Sequence, residues 1–143
     1  MNPYLANIPG YKDAVSKLPQ GDVSINDDFI EANREAIDEL KEIFRAKGGI
    51  YILSREMEDD GRDYALMVRV PSKSNQEKAM RELSSKKRTS IEVQTSMLME
   101  NLLYPAPEVV AKWLEEAPGL PVAYSNDLTD IAGTTATVIR KKP

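Results

Sequence analysis

The residues best suited to chemistry form an acidic run between positions 56 and 63 of the 143-residue chain. Placed on a calcium-binding loop that starts at Glu56, the run supplies acids at positions one, three and five and Gly61 at position six. Position twelve should then be glutamate, but it is Met67. We therefore predict a solvated loop, no metal site and no cofactor. The acidic residues are Glu56, Glu58, Asp59, Asp60 and Asp63.

A second candidate is the pair Ser84-x-x-Lys87, which has the spacing of a serine–lysine hydrolase. The Lys-Thr-Gly motif that accompanies such a pair is missing, and residues 125–127 place Ser, Asn and Asp in the wrong order. The chain also contains no cysteine and no histidine, so it lacks a thiolate nucleophile and the usual imidazole base. These features predict a protein that is not an enzyme.

The charge distribution argues against nucleic acid as a partner. Residues 86–88 (Lys-Lys-Arg), with Lys73, Lys78 and Arg81 nearby, form a basic patch, but no aromatic residues interleave it and the net charge of the chain is −4. A solvated face or an acidic protein partner explains the patch better. The longest clearly apolar stretch, residues 65–68, is far shorter than the roughly 20 residues of a membrane span, and no signal peptide pattern opens the chain. We expect a cytoplasmic protein with no membrane association.

The elements that would position these residues begin after residue 24. Prolines and glycines interrupt residues 1–24, which predicts an irregular N-terminal arm with room for one helical turn near Asp13–Leu18. The arm packs on the body, packs on a neighbouring subunit or is disordered in isolation. Residues 25–133 are predicted to form a single globular domain. Residues 134–143 are predicted to be a basic C-terminal tail or a short strand.

One long helix is predicted over residues 26–46, because Asn26 and Asp27 are good caps and apolar residues recur on one face. Residues 50–55 and 64–70 alternate in the manner of strands and predict a β-hairpin. A hairpin alone is marginally stable, so it must pack on helices or pair with a partner strand.

About four short helices are predicted to follow the hairpin. The first begins with a capping box at Ser74 and Glu77, and the second begins near Ser90 and ends by Pro105. The third begins at Pro107, and the fourth runs over residues 121–132 and stops at Gly133. The fold class is therefore α+β and mainly helical.

Six apolar and aromatic residues are candidates for contact with a protein partner. Methionine adapts to varied apolar surfaces, and tryptophan is enriched at the energetic centres of interfaces. The alternative is that such side chains fill the core, which we favour for Met97 and Trp113. The six candidates are Met97, Met99, Tyr104, Trp113, Leu114 and Tyr124.

The order of turns and helices after residue 50 is itself a pattern. A strand pair ending at residues 69–72 (Arg-Val-Pro-Ser) leads to a charged helix and then to an apolar helix that enters residues 103–108 (Leu-Tyr-Pro-Ala-Pro-Glu). After it come Trp113-Leu114, the turn at residues 118–120 and a helix that ends with residues 128–133. In this order, residues 50–133 resemble the tail assembly chaperone family of long-tailed bacteriophages.

The resemblance implies a chaperone that acts in the host cell cytoplasm and is absent from the finished virion. Members of that family coat the helix-rich tape measure protein until tail tube subunits polymerise around it. The partner expected here is therefore a phage tape measure or tail tube protein, and homo-oligomers are possible. Two alternatives stay open, namely a structural virion subunit of the tail or neck and a phage inhibitor of a host protein.

Overall fold

A computed structural model describes residues 1–56 and 63–140, with side chains up to residue 133. The fold is α+β and mainly helical, which confirms the predicted class. Within the described residues the chain forms seven α-helices, α1 (Tyr11–Ser16), α2 (Asp27–Ala32), α3 (Arg34–Phe44), α4 (Lys73–Ser85), α5 (Ser90–Asn101), α6 (Pro107–Glu116) and α7 (Leu120–Arg140), and three strands, β1 (Ile50–Glu56), β2 (Asp63–Arg69) and β3 (Leu102–Tyr104).

The three strands form one antiparallel sheet with the order β1-β2-β3. The predicted hairpin is confirmed, and its register runs without interruption from Ile50 opposite Arg69 to Glu56 opposite Asp63. Strand β3 was not predicted, because residues 102–104 were expected to continue the helix up to Pro105. Helix α5 instead ends at Asn101, and the next three residues bond to β2 across a bulge.

The sheet lies between two hydrophobic clusters, and β2 is buried on both faces. Ala65 and Met67 point into a cluster formed with the N-terminal helices and α3. Tyr64, Leu66 and Val68 point into a second cluster formed with α5, α6 and α7. Alternate residues of a strand face opposite sides of the sheet, so five consecutive buried positions require cover on both sides.

Residues 1–24, expected to be irregular, instead form a short 3-10 helix at Pro3–Leu5 and the helix α1. They pack against the body of the molecule. Leu5 and Tyr11 are completely buried in the first cluster. The Asn2 amide nitrogen donates hydrogen bonds to the carbonyl oxygens of Met99 (2.6 Å) and Leu102 (2.7 Å), which fastens the start of the described chain to the sheet.

The single long helix predicted over residues 26–46 is wrong, because Asn33 divides it into α2 and α3. Asn26 caps α2 as predicted, with its side chain accepting a hydrogen bond from the Phe29 backbone N–H. Asn33 leaves the helical conformation (φ −116°, ψ 26°), and its amide donates to the Phe29 carbonyl oxygen at 2.9 Å. An asparagine side chain that competes for backbone hydrogen bonds in this way interrupts a helix.

Two other helix boundaries differ from the prediction. Helix α4 is capped by Ser72, whose hydroxyl accepts from the Asn75 backbone N–H, and not by a capping box at Ser74 and Glu77. Helix α7 continues through Gly133 to Arg140, since one glycine costs a helix only about 1 kcal/mol. Pro107 begins α6 as predicted. Of the predicted basic tail, residues 141–143 lie outside the described residues.

Candidate protein-binding groove

Three of the six predicted partner contacts are core side chains. Trp113 is 2% exposed and stands edge-on to Tyr64, with ring centroids 5.5 Å apart. Tyr104 is 4% exposed and stacks on Phe29. The Tyr124 hydroxyl donates to the Tyr64 carbonyl oxygen at 2.6 Å, and burial raises the pKa of this tyrosine above its ordinary value. These aromatic rings lie inside the two clusters and leave little surface for a partner.

The other three candidates, Met97, Met99 and Leu114, are half-buried and pack against the second cluster. Met97 lines a groove between α4, α5 and α7, and the almost completely buried Tyr104 lines another groove beside α1. Met97 therefore combines partial exposure with a position in a groove.

That groove lies between α4, α5 and α7 and has a volume of about 310 Å³. We call it the α4 groove. Helix α4 forms one wall and α5 the floor, while the start of α7 forms the opposite wall. Its lining residues are Gln76, Ala79, Met80 and Leu83 from α4, Val93, Gln94 and Met97 from α5, and Ser125, Asn126 and Thr129 from α7.

The apolar wall of the α4 groove is unusually open to water. Met80 is 69% exposed and Leu83 is 43% exposed, although both belong to the apolar face of α4. Helix α4 has 13 residues and none of them is buried. A single exposed apolar residue is common, but two beside a groove on the same helix form a candidate contact surface for another protein.

Polar contacts hold the N-terminal half of α4 against α5. Glu100 is 9% exposed, and its two carboxylate oxygens accept from the Lys78 ammonium at 2.7 Å and from the Asn75 amide at 3.1 Å. The hydrogen bond to Glu100 raises the pKa of Lys78. A buried carboxylate needs such partners, because an unpaired buried charge is costly.

Arg88 makes the corresponding link at the other end of α4. Its guanidinium pairs with the Glu82 carboxylate at 2.9 Å and donates to the Ser96 hydroxyl at 2.6 Å. Helix α4 is thus fixed to α5 at both ends by charged and polar groups, while its apolar side chains remain at the groove.

A buried oxygen with no hydrogen bond lies at the floor of the α4 groove. The Gln94 side-chain oxygen is buried and has no hydrogen-bond partner among the described residues. Leaving a buried acceptor unsatisfied costs about 1–3 kcal/mol. A donor group entering the groove could remove that cost if the amide turned towards it.

In the structure, some cations of the predicted basic patch form ion pairs and others do not. Arg88 is paired with Glu82, and Lys78 is paired with Glu100. Arg81, Lys86 and Lys87 form no ion pair within the described part of the chain and are exposed. Cationic groups therefore remain free on α4 and on the turn that ends it.

The described residues contain neither a cluster of metal ligands nor a membrane-spanning helix. These residues contain no group of three or more acidic side chains placed to hold a metal ion. In the same part of the chain, no helix has the length and apolar character that crossing a membrane requires. Glu58, Asp59, Asp60 and Gly61 of the predicted acidic loop lie outside the described residues.

The sequence pattern identified Met80 and Leu83 as apolar residues of a helix, but it did not identify them as surface. The available signal was the composition of α4, in which polar and charged residues outnumber the three apolar residues Ala79, Met80 and Leu83. A helix with so narrow an apolar stripe can bury little surface, so part of that stripe is free to serve as a contact.

One family model matches the chain, and it is described as a domain of unknown function, DUF6848. The match covers residues 36–141, which include the whole sheet and helices α4 to α7. Neither a curated protein nor a solved structure shows significant similarity to the chain. The family description names no activity or partner. Because the match extends over well more than half of the sequence, the chain belongs to the DUF6848 domain family.

Proposed function

We propose that this chain is a non-catalytic assembly chaperone that binds the tape measure protein of a long-tailed phage before the tail tube polymerises. The observation that carries the proposal is the α4 groove, where Met80 and Leu83 stand exposed beside the half-buried Met97. Such a groove accepts the apolar face of an amphipathic helix, and tape measure proteins are helix-rich. The setting would be the host cell cytoplasm.

The energetics suit a holding function. Covering the exposed part of Met80 and Leu83 would contribute about 1–2 kcal/mol each. Together these two contacts would strengthen binding by roughly 30- to 700-fold, so the rest of the groove must supply the remaining free energy of the complex. A methionine-rich wall also adapts to partner helices of different sequence.

Charge narrows the kind of helix that the groove would accept. Arg81, Lys86 and Lys87 are exposed cations on α4 and its terminal turn, whereas the chain as a whole is acidic. A partner helix with apolar residues on one face and acidic residues at its margin would match this arrangement. Opposite charges at the rim of an interface speed association more than they strengthen it.

The first test is co-expression with the tape measure protein encoded in the same genome. The wild-type chain should raise the soluble fraction of that protein and co-purify with it. Leu83→Lys should reduce the co-purified amount roughly tenfold, because a charge replaces an apolar contact. The matched control is Val122→Lys on α7, since Val122 is also 43% exposed but does not line the groove.

Different outcomes of this experiment would contradict the proposed binding surface and the proposed chaperone role. If Val122→Lys weakens binding as much as Leu83→Lys, the α4 groove is not the binding surface. If the wild-type chain neither solubilises nor co-purifies with the tape measure protein, the chaperone role is wrong. Mass spectrometry of purified particles adds an independent criterion, because an assembly chaperone should be missing from them and a structural subunit should be present.

A further inference from the structure

Strand β1 lies at an edge of the sheet and carries two exposed apolar side chains. Within the described residues it pairs with β2 on one side only. Tyr51 is 39% exposed and Ile52 is 40% exposed, and these neighbours face opposite sides of the sheet. The open edge of a strand presents unpaired N–H and C=O groups that can bond to another strand.

The two edges of the sheet differ in how they are protected. Strand β3 has three residues, joins β2 across a bulge and is followed directly by Pro105, all of which discourage further pairing. Strand β1 has seven residues in continuous register with β2 and contains neither proline nor bulge, and its two charged residues, Arg55 and Glu56, lie at its end. Natural edges of this length and regularity are usually blocked unless they are used.

We propose that β1 pairs antiparallel with β1 of a second copy of this chain, about a two-fold axis that passes through Ile52. The two sheets would join into one six-stranded sheet. Helices α1 to α3 of both copies would cover one face of that sheet, and helices α5 to α7 would cover the other. The α4 groove plays no part in this contact, so the dimer and the proposed chaperone role can fail independently.

Symmetry limits the possible registers. A two-fold axis that relates adjacent antiparallel strands is perpendicular to the sheet, so one residue must lie opposite its own copy. With Ile52 on the axis, the two Ile52 side chains meet on one face and Tyr51 lies opposite Leu53 on the other face. Such apolar cross-strand pairs stabilise an antiparallel contact.

The neighbouring registers are less favourable. An axis through Leu53 would place Ile50 opposite Glu56 and Tyr51 opposite Arg55, so apolar side chains would meet charges. An axis through Tyr51 would leave only residues 50–52 to pair as strand, because β1 begins at Ile50 and the preceding Gly48 and Gly49 have left-handed φ angles.

The Ile52 register also brings opposite charges together at both ends of the pair. Glu56, the exposed last residue of β1, extends past Ile50 of the second copy towards the turn that holds the exposed Lys47. The symmetry produces this approach twice. The surface is thus complementary to itself in both its apolar centre and its charged ends.

Because the chain contains no cysteine, single cysteine variants can test the register directly. Ile52→Cys should form a covalent dimer under mild oxidation, since residues opposite each other on antiparallel strands have Cα atoms about 4.5–5.5 Å apart, within disulfide range. Ser54→Cys is the control. In the proposed register its two copies are offset by about 13 Å along the strands, which a disulfide cannot span.

The full chain without added cysteine should sediment as a dimer. Ile52→Lys should weaken that dimer at least tenfold, because two lysines would meet at the axis. Ile91→Lys, at an exposed apolar position on α5 away from the edge, should not change it. A wild-type chain that stays monomeric, a dimer that survives Ile52→Lys, or a disulfide that forms at Ser54→Cys as readily as at Ile52→Cys would each overturn the proposal.

Discussion

Helices α3 and α4 have similar lengths and alternate charged with apolar residues, yet they are attached to the molecule in opposite ways. Helix α3 buries Ala36, Ile37, Leu40 and Phe44 in the first cluster, so apolar contacts hold it. Helix α4 buries no residue and is held by the Lys78–Glu100 and Arg88–Glu82 pairs. Helix α3 buries its apolar stripe in the core, whereas α4 leaves its apolar stripe available for contact with a partner.

The difference shows that an apolar stripe need not be part of the core. A helix fastened by ion pairs at its ends keeps its position while its apolar side chains contact water. Exposed apolar surface normally reduces solubility, and the charged residues around α4 counteract that effect. The α4 groove thus exists because polar and charged contacts, and not buried apolar side chains, hold α4 against α5.

The largest expected difference between the two helices is in their contribution to global stability. Phe44→Ala should lower the free energy of unfolding by about 3–5 kcal/mol, because Phe44 is completely buried and its removal leaves a cavity. Met80→Ala should change it by less than about 0.5 kcal/mol, because Met80 is 69% exposed. Urea unfolding monitored by circular dichroism measures both. Comparable losses in the two variants would mean that α4 is a core helix after all.

A smaller effect is expected from removing the charge that attaches α4. Glu100→Gln should destabilise the docking of α4 by about 1–2 kcal/mol, a figure that allows for the half-exposed Lys78 partner. Hydrogen exchange should then quicken in the amides of α4, while the amides of α3 keep their wild-type rates.

The matched control for that experiment is Glu42→Gln. Glu42 lies on α3 and pairs with Arg45 at 3.2 Å, but both side chains are highly exposed. We expect no measurable change in exchange anywhere in the molecule. If the Glu100→Gln variant exchanged faster in α3 as well as in α4, the two helices would unfold as one unit and the contrast between them would be lost.

The smallest effect concerns a buried polar contact beside α3. The Tyr11 hydroxyl donates to the Leu103 carbonyl oxygen at 2.9 Å, and burial raises the pKa of Tyr11 above its ordinary value. The folded chain therefore keeps a proton that the unfolded chain releases above about pH 10, so stability falls as the pH rises through that range.

In Tyr11→Phe, stability should be lower by about 1 kcal/mol at neutral pH because the hydrogen bond is lost. The fall in stability above pH 10 should also be less steep, since one of the buried tyrosines is gone. Urea unfolding at a series of pH values measures both changes. Tyr4→Phe, at a ring that is 63% exposed, should follow the wild-type curve throughout. An unchanged slope in Tyr11→Phe would exclude Tyr11 from the alkaline response.

Local patterns predicted the hairpin and most helices, because alternation and capping residues act over a few positions. Asn26 and Pro107 lie at helix starts where such signals are strong. Strand β3 could not be predicted in this way. It has three residues and forms only because β2, more than 30 positions earlier, supplies its partner groups.

The proposed binding surface was the hardest part to predict, because burial is decided by the whole fold. Trp113 and Tyr124 have the chemistry of interface residues, but the second cluster encloses them. Met80 and Leu83 have ordinary helical spacing, and their exposure depends on where α5 and α7 stop. Apolar type and spacing identify which residues can form apolar contacts, whereas tertiary packing decides which of them are accessible to a partner.

The hydrogen bonds of Asn2 can form only late in the synthesis of the chain. The carbonyl oxygens that Asn2 binds belong to Met99 and Leu102, which are 97 and 100 residues later in the chain. A ribosome must therefore extrude about two-thirds of the sequence before the first residues find their place. Until then Leu5 and Tyr11 stay without their final neighbours, and the nascent chain cannot complete its first cluster.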